Sequence, residues 1–320
     1  MDKDNGRVRL AKQPDAEYVL TTDKLCKRYK HVYAARDIDI RIRRGEIYGL
    51  IGRNGAGKTT IMRVLSGLSN ATSGSYSLFG KTGREIRSVM GQVGALIEAP
   101  GIYANLNAVD NLRMKCIALN CDKPGYAEQL LELVGLSDTG KKPAGAFSLG
   151  MRQRLGIALA VVGDPKLVIL DEPINGLDPQ GIVDVRNILT RLRDERGMTI
   201  MISSHILDEL GKFADCYGII NEGRLIDEFT RQDIQQRTGS FTVVSTDNNE
   251  KALAVIRGMS GLSAEIDGEK RIKITGEISR SANVVKCLVE NDIFVREIKT
   301  ESFSLEDYYL SVTRGGTTNA

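Results

Sequence analysis

Hydrophobic residues along this chain come in short blocks. Between Tyr18 and about Gly239, apolar runs of strand length (EIYGLIG, KLVILDEP, TIMISSH and YGIINEG) alternate with segments of helical periodicity at Lys58–Leu68, Gln153–Val162 and Ile182–Arg196. Runs that are apolar at nearly every position predict strands buried on both faces. Helices placed between them predict a parallel sheet covered on both sides, an α/β fold class. After Gly239 the rhythm changes. A helix-like TRQDIQQRT leads to a strand at Phe241–Thr246, a helix at Asn249–Met259 and a hairpin turning at Asp267–Lys270. A helix at Ser281–Asn291, a strand at Phe294–Lys299 and a terminal helix at Ser304–Val312 follow. Residues 1–16 are polar and aperiodic and predict a loose tail. The expected division is therefore a tail over 1–16, an α/β domain over 17–239 and a smaller α+β domain over 240–320.

Composition narrows the possibilities. The chain has 320 residues, 42% of them hydrophobic, with 44 Lys+Arg against 41 Asp+Glu and a formal charge of +3. That is enough apolar content for a core and too little net charge for disorder or for a basic nucleic-acid surface. No apolar run approaches the roughly 20 residues of a membrane span, and MDKDNGRVRLAKQ lacks the apolar core of a signal peptide. A cytoplasmic chain that does not cross a bilayer is expected. The five cysteines (Cys26, Cys116, Cys121, Cys216 and Cys287) form an odd, scattered set without a CxxC pair, so reduced packing thiols are expected rather than zinc or disulfides.

Three local patterns carry chemistry. The run Gly52-Arg53-Asn54-Gly55-Ala56-Gly57-Lys58-Thr59-Thr60 fits the P-loop pattern, follows an apolar strand and opens a helix. Its glycines let backbone N–H groups wrap a phosphate chain, Lys58 reaches the β- and γ-phosphates, Thr59 ligates Mg²⁺, and the helix N-terminus favours anions. Downstream, Leu167-Val168-Ile169-Leu170-Asp171-Glu172-Pro173 is an apolar strand ending in two acids. Beside a P-loop, Asp171 is the metal-side carboxylate and Glu172 the candidate general base for the attacking water. Between them Phe147-Ser148-Leu149-Gly150-Met151-Arg152-Gln153-Arg154 precedes an apolar helix.

That third run resembles the LSGGQ-x-Q-R signature of the ATP-binding-cassette (ABC) ATPases. The order P-loop, signature, acidic strand, Gly176-Leu177-Asp178-Pro179, then Ser203-Ser204-His205 is similar to that family's map from about Tyr18 to Gly239. The resemblance implies a P-loop NTPase cassette, a RecA-like core with a helical subdomain. It also implies two cassettes facing head to tail, ATP on one P-loop being completed by Ser148 and Gly150 of the other. His205 would then be the switch histidine at the γ-phosphate, and Asp178 would couple the two sites. Tyr29 stands where the family stacks an aromatic on adenine, with Tyr33 as its rival. Glu98 stands where the family carries a glutamine near Mg²⁺, Gln92 falling too early, and Leu149 and Met151 replace a glycine and a glutamine of the signature. These departures, together with the ending SFSLEDYYLSVT, are similar to cassettes of the bacitracin-resistance and lantibiotic-immunity exporter group.

The resemblance thus implies an ATP-hydrolysing subunit with ATP and Mg²⁺ as cofactors. Its partners would be a multi-span membrane permease in a separate chain and a second cassette, identical or paralogous. The permease would hold it at the inner face of the cell membrane, docking near Glu98 to Asn111. No nucleic-acid partner is expected. The alternative, a soluble ABC ATPase acting on nucleic acid or ribosomes, would call for long coiled coils or a second cassette, and the chain has one GRNGAGKTT and no heptad array. A catalytically dead regulatory cassette would lack Lys58 or Glu172. The β-α-β-β-α-β order after Gly239 is similar to a ferredoxin-like split unit.

Overall fold

A computed structural model describes residues 18–233, 240–267, 271–276, 281–302 and 305–314. The 1–16 tail, the end of TRQDIQQRT and the residues 268–270 of the expected hairpin turn lie outside the described residues. The chain divides into two compact units, Met1–Thr230 and Arg231–Ala320, so the division precedes Gly239.

The first unit is built on two sheets. The parallel one follows from the uninterrupted apolar runs. Strands β4 (Ile47–Ile51), β8 (Leu167–Leu170) and β9 (Thr199–Ser204) are buried at every position. With β7 (Val93–Leu96), β10 (Cys216–Asn221) and β11 (Arg224–Thr230) they form a six-stranded sheet of order β11-β10-β4-β9-β8-β7. All neighbours pair in parallel except β10 and β11. That hairpin turns at Glu222 and Gly223, both at positive φ (48° and 74°), a pairing that matches the right-handed twist of its strands.

The second sheet is not what the runs alone predict. It is antiparallel, made by β1 (Tyr18–Tyr29), β2 (Val32–Ile38), β3 (Arg41–Arg43), β5 (Ser73–Leu78) and β6 (Lys81–Thr82). These strands mix buried and exposed positions, as half-solvated antiparallel strands do. Leu20, Ile38, Ile42 and Leu78 from this sheet share one core with Tyr48, Leu50 and Met201 of the other and with Ile61 and Met62 of the first helix.

The helices follow their caps. Helix α1 (Lys58–Leu65) opens at Gly57 and stops short of the expected Leu68, its end marked by Ser66 and by Gly67 at φ 76°. Between β7 and β8 run α2 (Ala108–Ala118), α3 (Tyr126–Leu133) and α4 (Leu149–Ala160), the helical part of the unit. Helix α4 starts earlier than its apolar periodicity suggests because Ser148 caps it. Helix α5 (Pro179–Arg196) runs from an Asp178 cap and a first-turn proline to Gly197 in the left-handed region, the termini that favour a sharply bounded helix. No described helix is long and apolar enough to cross a membrane.

In the second unit Ser240–Thr246, Leu262–Ile266, Ile272–Gly276 and Val295–Ser302 form a four-stranded antiparallel sheet. The first strand lies between the third and fourth. Val244, Ile272 and Ile274 of the sheet pack with Ala252 and Ile256 of the helix Asn249–Arg257 and with Val284 and Leu288 of the helix Ser281–Glu290. A further helix covers Leu305–Arg314.

Candidate nucleotide site

The carboxyl ends of β4, β9 and β8 lie side by side, the edge of an open parallel sheet where ligands bind. The P-loop fills the turn from β4 into α1. Gly57 sits at φ 109°, and a Cβ there would run into the Ala34 carbonyl oxygen; a Cβ at Gly52 would meet that of Ile220. Gly57 has no side chain to cap α1 and no acid stands in its first turn, so the amides of that turn face a ligand position with the helix dipole behind them.

Around this turn the side chains form one connected chain of contacts. Thr59 Oγ1 donates to Asp171 Oδ2 at 2.7 Å, and Ser203 Oγ donates to Asp171 Oδ1 at 2.6 Å. Ser203 Oγ also accepts the Glu172 N–H at 2.9 Å. One oxygen of the Glu172 carboxylate lies 2.7 Å from His205 Nδ1, and the other lies 3.0 Å from Lys58 Nζ. Lys58 is itself curled back, donating to the carbonyl oxygens of Gly52 at 2.6 Å and Arg53 at 3.3 Å. Lys58 and Asp171 are buried, 5% and 4% exposed, so these charges depend on one another rather than on water. Glu172 holds a φ of 49°, a left-handed backbone that costs a non-glycine residue about 1–3 kcal/mol and that over-determined functional turns retain.

Sequence position places five of these groups, Lys58, Thr59, Asp171, Glu172 and His205, at one edge, and the structure brings all five together. It adds Ser203, which sequence reasoning left without a task. The strand order explains it: β9 lies between β4 and β8, so its penultimate side chain can bridge the two acids. In the P-loop, Asn54 and Gly55 are exposed, Thr60 is half-buried, and buried Ala56 accepts the Gly223 N–H at 2.9 Å.

Other expected residues stand outside that chain of contacts. Glu98, at φ 63° beyond β7, pairs with Arg63 of α1, whose Nη2 donates to its Oε1 at 2.6 Å. Its carboxylate is therefore turned to a guanidinium rather than to Thr59 and Asp171. The contact also raises the Arg63 pKa, the hydrogen bond to Glu98 first and the Tyr29 hydroxyl as a smaller contributor. Arg63 had no signal in the sequence beyond a basic residue in the last turn of α1. Tyr29 is half exposed with Lys27 Nζ 5.0 Å from its ring centre, while Arg28 and Arg36 lie at 5.7 and 5.4 Å from the Tyr33 ring. Ser148 and Asp178 each cap their own helix, accepting from Met151 N–H at 3.3 Å and Gly181 N–H at 3.0 Å. A Cβ on Gly176 would lie 3.1 Å from Leu149, so the signature turn and the turn before Asp178 are neighbours, with Gly150 partly exposed.

Comparison with known proteins gives the same picture. The ABC transporter family profile matches residues 35–175. The bacitracin transport ATP-binding protein BcrA of Bacillus licheniformis is 38% identical over 301 residues, 93% of this chain and 98% of that one. The lantibiotic transport ATP-binding protein SrtF of Streptococcus pyogenes is 45% identical over 210 residues, 65% of this chain and 89% of that one. Among solved structures, cbiO1 from Clostridium perfringens, part of the ABC transporter complex cbiONQ, superposes with a TM-score of 0.61 at 27% identity, covering 69% of this chain and 91% of that one. The chain belongs to the ATP-binding proteins of ABC transporters, cassettes that bind and hydrolyse ATP to power transport. Such subunits pair with membrane permease components and form dimers. These relatives fit the transport reading and not the one invoking nucleic acid or ribosomes.

Proposed function

We propose that this chain is the ATPase of an exporter that moves antimicrobial peptides or similar amphipathic compounds, working as a pair of cassettes under a separate multi-span permease. The observation that carries the catalytic part is the continuous run of contacts Thr59–Asp171–Ser203–Glu172–His205, closed by Lys58. The cargo class is inferred from relatives whose names specify bacitracin and lantibiotic transport.

In this reading the triphosphate takes the amides of the P-loop and draws Lys58 away from the Gly52 carbonyl and from Glu172. Released from its ion pair, Glu172 accepts a proton from the water that attacks the γ-phosphate, and His205 holds the carboxylate from its far side. A hydroxyl and a carboxylate 2.7 Å apart are hard oxygen donors suited to Mg²⁺, and Thr59 and Asp171 would hold it. Bound there, Mg²⁺ would neutralise the charge that builds up on the phosphates. Glu98 is a candidate for that shell only after leaving Arg63. Tyr29 is the better adenine platform of the two tyrosines, with one cation beside its ring where Tyr33 has two guanidiniums beside it. Ser148 and Gly150 at the α4 N-terminus face the γ-phosphate of the partner cassette, and Asp178 links the two sites.

A cavity of about 650 Å³ opens between the core and the helical part, lined by Leu96, Pro100, Tyr103, Met114, Lys115 and Gly156 among others. Its mixed apolar lining suits a short helix of the permease, which would keep the chain at the inner membrane face. The second unit, which contains the expected 240–320 region, is an accessory domain. Its strand order, with the first strand between the third and fourth, supports a ferredoxin-like split unit. The experiment is purification from detergent-solubilised membranes of the source cells. A multi-span protein should accompany the chain and raise its phosphate release. A chain that leaves the membrane alone and binds ribosomes or DNA in a salt-sensitive way would overturn the reading.

A further inference from the structure

The end of helix α2 places two cysteines on the hydrogen bond that closes it, a juxtaposition that their spacing along the sequence conceals. Helix α2 closes with a Schellman arrangement. Asn120 takes a left-handed φ of 54°, its N–H donates to Ile117 O at 3.0 Å, and the Cys121 N–H donates to Cys116 O at 2.8 Å. In this arrangement the two residues that make the outer hydrogen bond bring their side chains together across the helix end, usually as an apolar contact. Here both are cysteines. Cys116 is fully buried and Cys121 is half-buried, so solvent reaches one sulfur and not the other. The Cys116 thiol is pushed up to about 11 by burial first and then by the Cys121 side chain beside it. It is thus held as a protonated packing thiol next to a more accessible sulfur.

We propose that Cys116 and Cys121 form a dithiol that a hydroperoxide closes to a reversible disulfide at the end of α2. The Cys121 sulfur attacks the peroxide, the O–O bond breaks, and Cys121 becomes a sulfenic acid, its thiol proton passing to the departing oxygen, which leaves as water or an alcohol. The Cys116 sulfur then attacks the Cys121 sulfur, its proton leaving with the displaced hydroxide as a second water. Two electrons pass from the thiols to the peroxide, and an external thiol reverses the step by exchange. Met114, Lys115 and Ala118 of the same helix line the cavity between the core and the helical part. Closing the bond fixes the last turn of α2 beside that cavity. This consequence rests on the cavity being the permease dock, whereas the disulfide itself does not.

The test uses the isolated full chain, with no permease. After hydrogen peroxide treatment, the protein is unfolded, alkylated and digested with trypsin. The bond from Lys123 to Pro124 resists cleavage, so one peptide, Cys116 to Lys141, carries both sulfurs. The expected product is that peptide unalkylated and lighter by two hydrogens, with alkylation of both cysteines down roughly tenfold or more and restored by dithiothreitol. In Cys121→Ser, Cys116 should stay fully alkylatable after the same treatment, and in Cys116→Ala, Cys121 should pass on to the sulfinic acid. The proposal is overturned if the wild-type Cys116 alkylates normally while Cys121 is over-oxidised, or if Cys116 is lost equally in Cys121→Ser.

Discussion

The two ends of strand β4 handle charge in opposite ways. At its carboxyl end Lys58, Glu172 and His205 are paired with one another, each within 3.0 Å of its neighbour, so a ligand can enter by exchanging one partner for another. At its amino end acids predominate, and hydrogen bonds from the strand and its neighbours hold them, Asp215 also pairing with Arg193 at 3.1 Å. Glu46 accepts the Arg43 N–H at 2.6 Å, Asp215 accepts the Ile47 N–H at 2.8 Å, and Glu228 accepts the Tyr48 hydroxyl at 2.8 Å and the Arg41 N–H at 3.2 Å. Burial is the main reason both Glu46 and Glu228 are pushed up to about 7. One end therefore keeps its ions mobile between partners. The other anchors β4 to β3, β10 and β11 and tolerates Glu46 and Glu228 by letting them hold protons. Function and stability are separated along a strand of five residues.

The carboxyl end can be broken in order of effect. Glu172→Gln removes the proposed base while keeping its shape. Turnover should fall roughly 10²–10⁴-fold with ATP still bound, and size-exclusion should show an ATP-bound dimer accumulating. A monomer with normal phosphate release would remove Glu172 from the mechanism. Lys58→Ala deletes the ammonium that sits against Gly52 O and Glu172. ATP affinity by calorimetry should drop roughly 100-fold, about 2.7 kcal/mol, while the amino-end anchors keep the fold. Ser203→Ala is milder. It leaves Asp171 without its 2.6 Å donor and the Glu172 amide without its acceptor. Losing those contacts costs about 1–3 kcal/mol, which should appear as roughly tenfold in kcat and a raised Mg²⁺ requirement, with ATP affinity in the absence of the metal unchanged.

What could be read in advance differed between these two ends for a physical reason. The residues at the carboxyl end are fixed by what phosphate chemistry demands of neighbouring positions. The P-loop, the Asp171-Glu172 pair and His205 are therefore legible as short runs, and the buried strands β4, β8 and β9 are legible from their unbroken apolar character. Ser203 became visible only with the strand order, because its bridge spans two strands far apart in the chain. The antiparallel sheet was hidden because strands such as Ser73–Leu78 (SGSYSL) carry too few apolar residues to announce themselves. The Arg63–Glu98 pair has a similar origin. The sequence offered Glu98 as a metal ligand, and only the fold showed a guanidinium 2.6 Å from it. The amino-end cluster gave no signal at all. Glu46 and Glu228 look like ordinary surface acids until the two sheets close over them.

That cluster yields the smallest expected effect and the sharpest test of the contrast. Each carboxyl has a folded pKa near 7 against an ordinary 4.5, so the folded chain binds protons that the unfolded chain releases. The stabilisation is fully present below about pH 4.5 and is lost as pH rises through about 7, the reverse of a salt-bridged acid. The ceiling is about 3 kcal/mol per group, and water reaching the carboxyls, both of them only partly buried, lowers it. Glu228→Gln keeps an acceptor for the Tyr48 hydroxyl and removes the titration. At pH 8 the variant should melt a few degrees above wild type, about 2–4 °C for each kcal/mol, and the gap should narrow by more than half as the pH is lowered to 5.5. Because the carboxyl-end groups are common to both proteins, the difference between the two melting curves isolates Glu228. A variant that melts below wild type at pH 8, by an amount that stays constant down to pH 5.5, would mean that Glu228 is ionised and paired in the folded chain. The amino end would then hold its charges as the carboxyl end does.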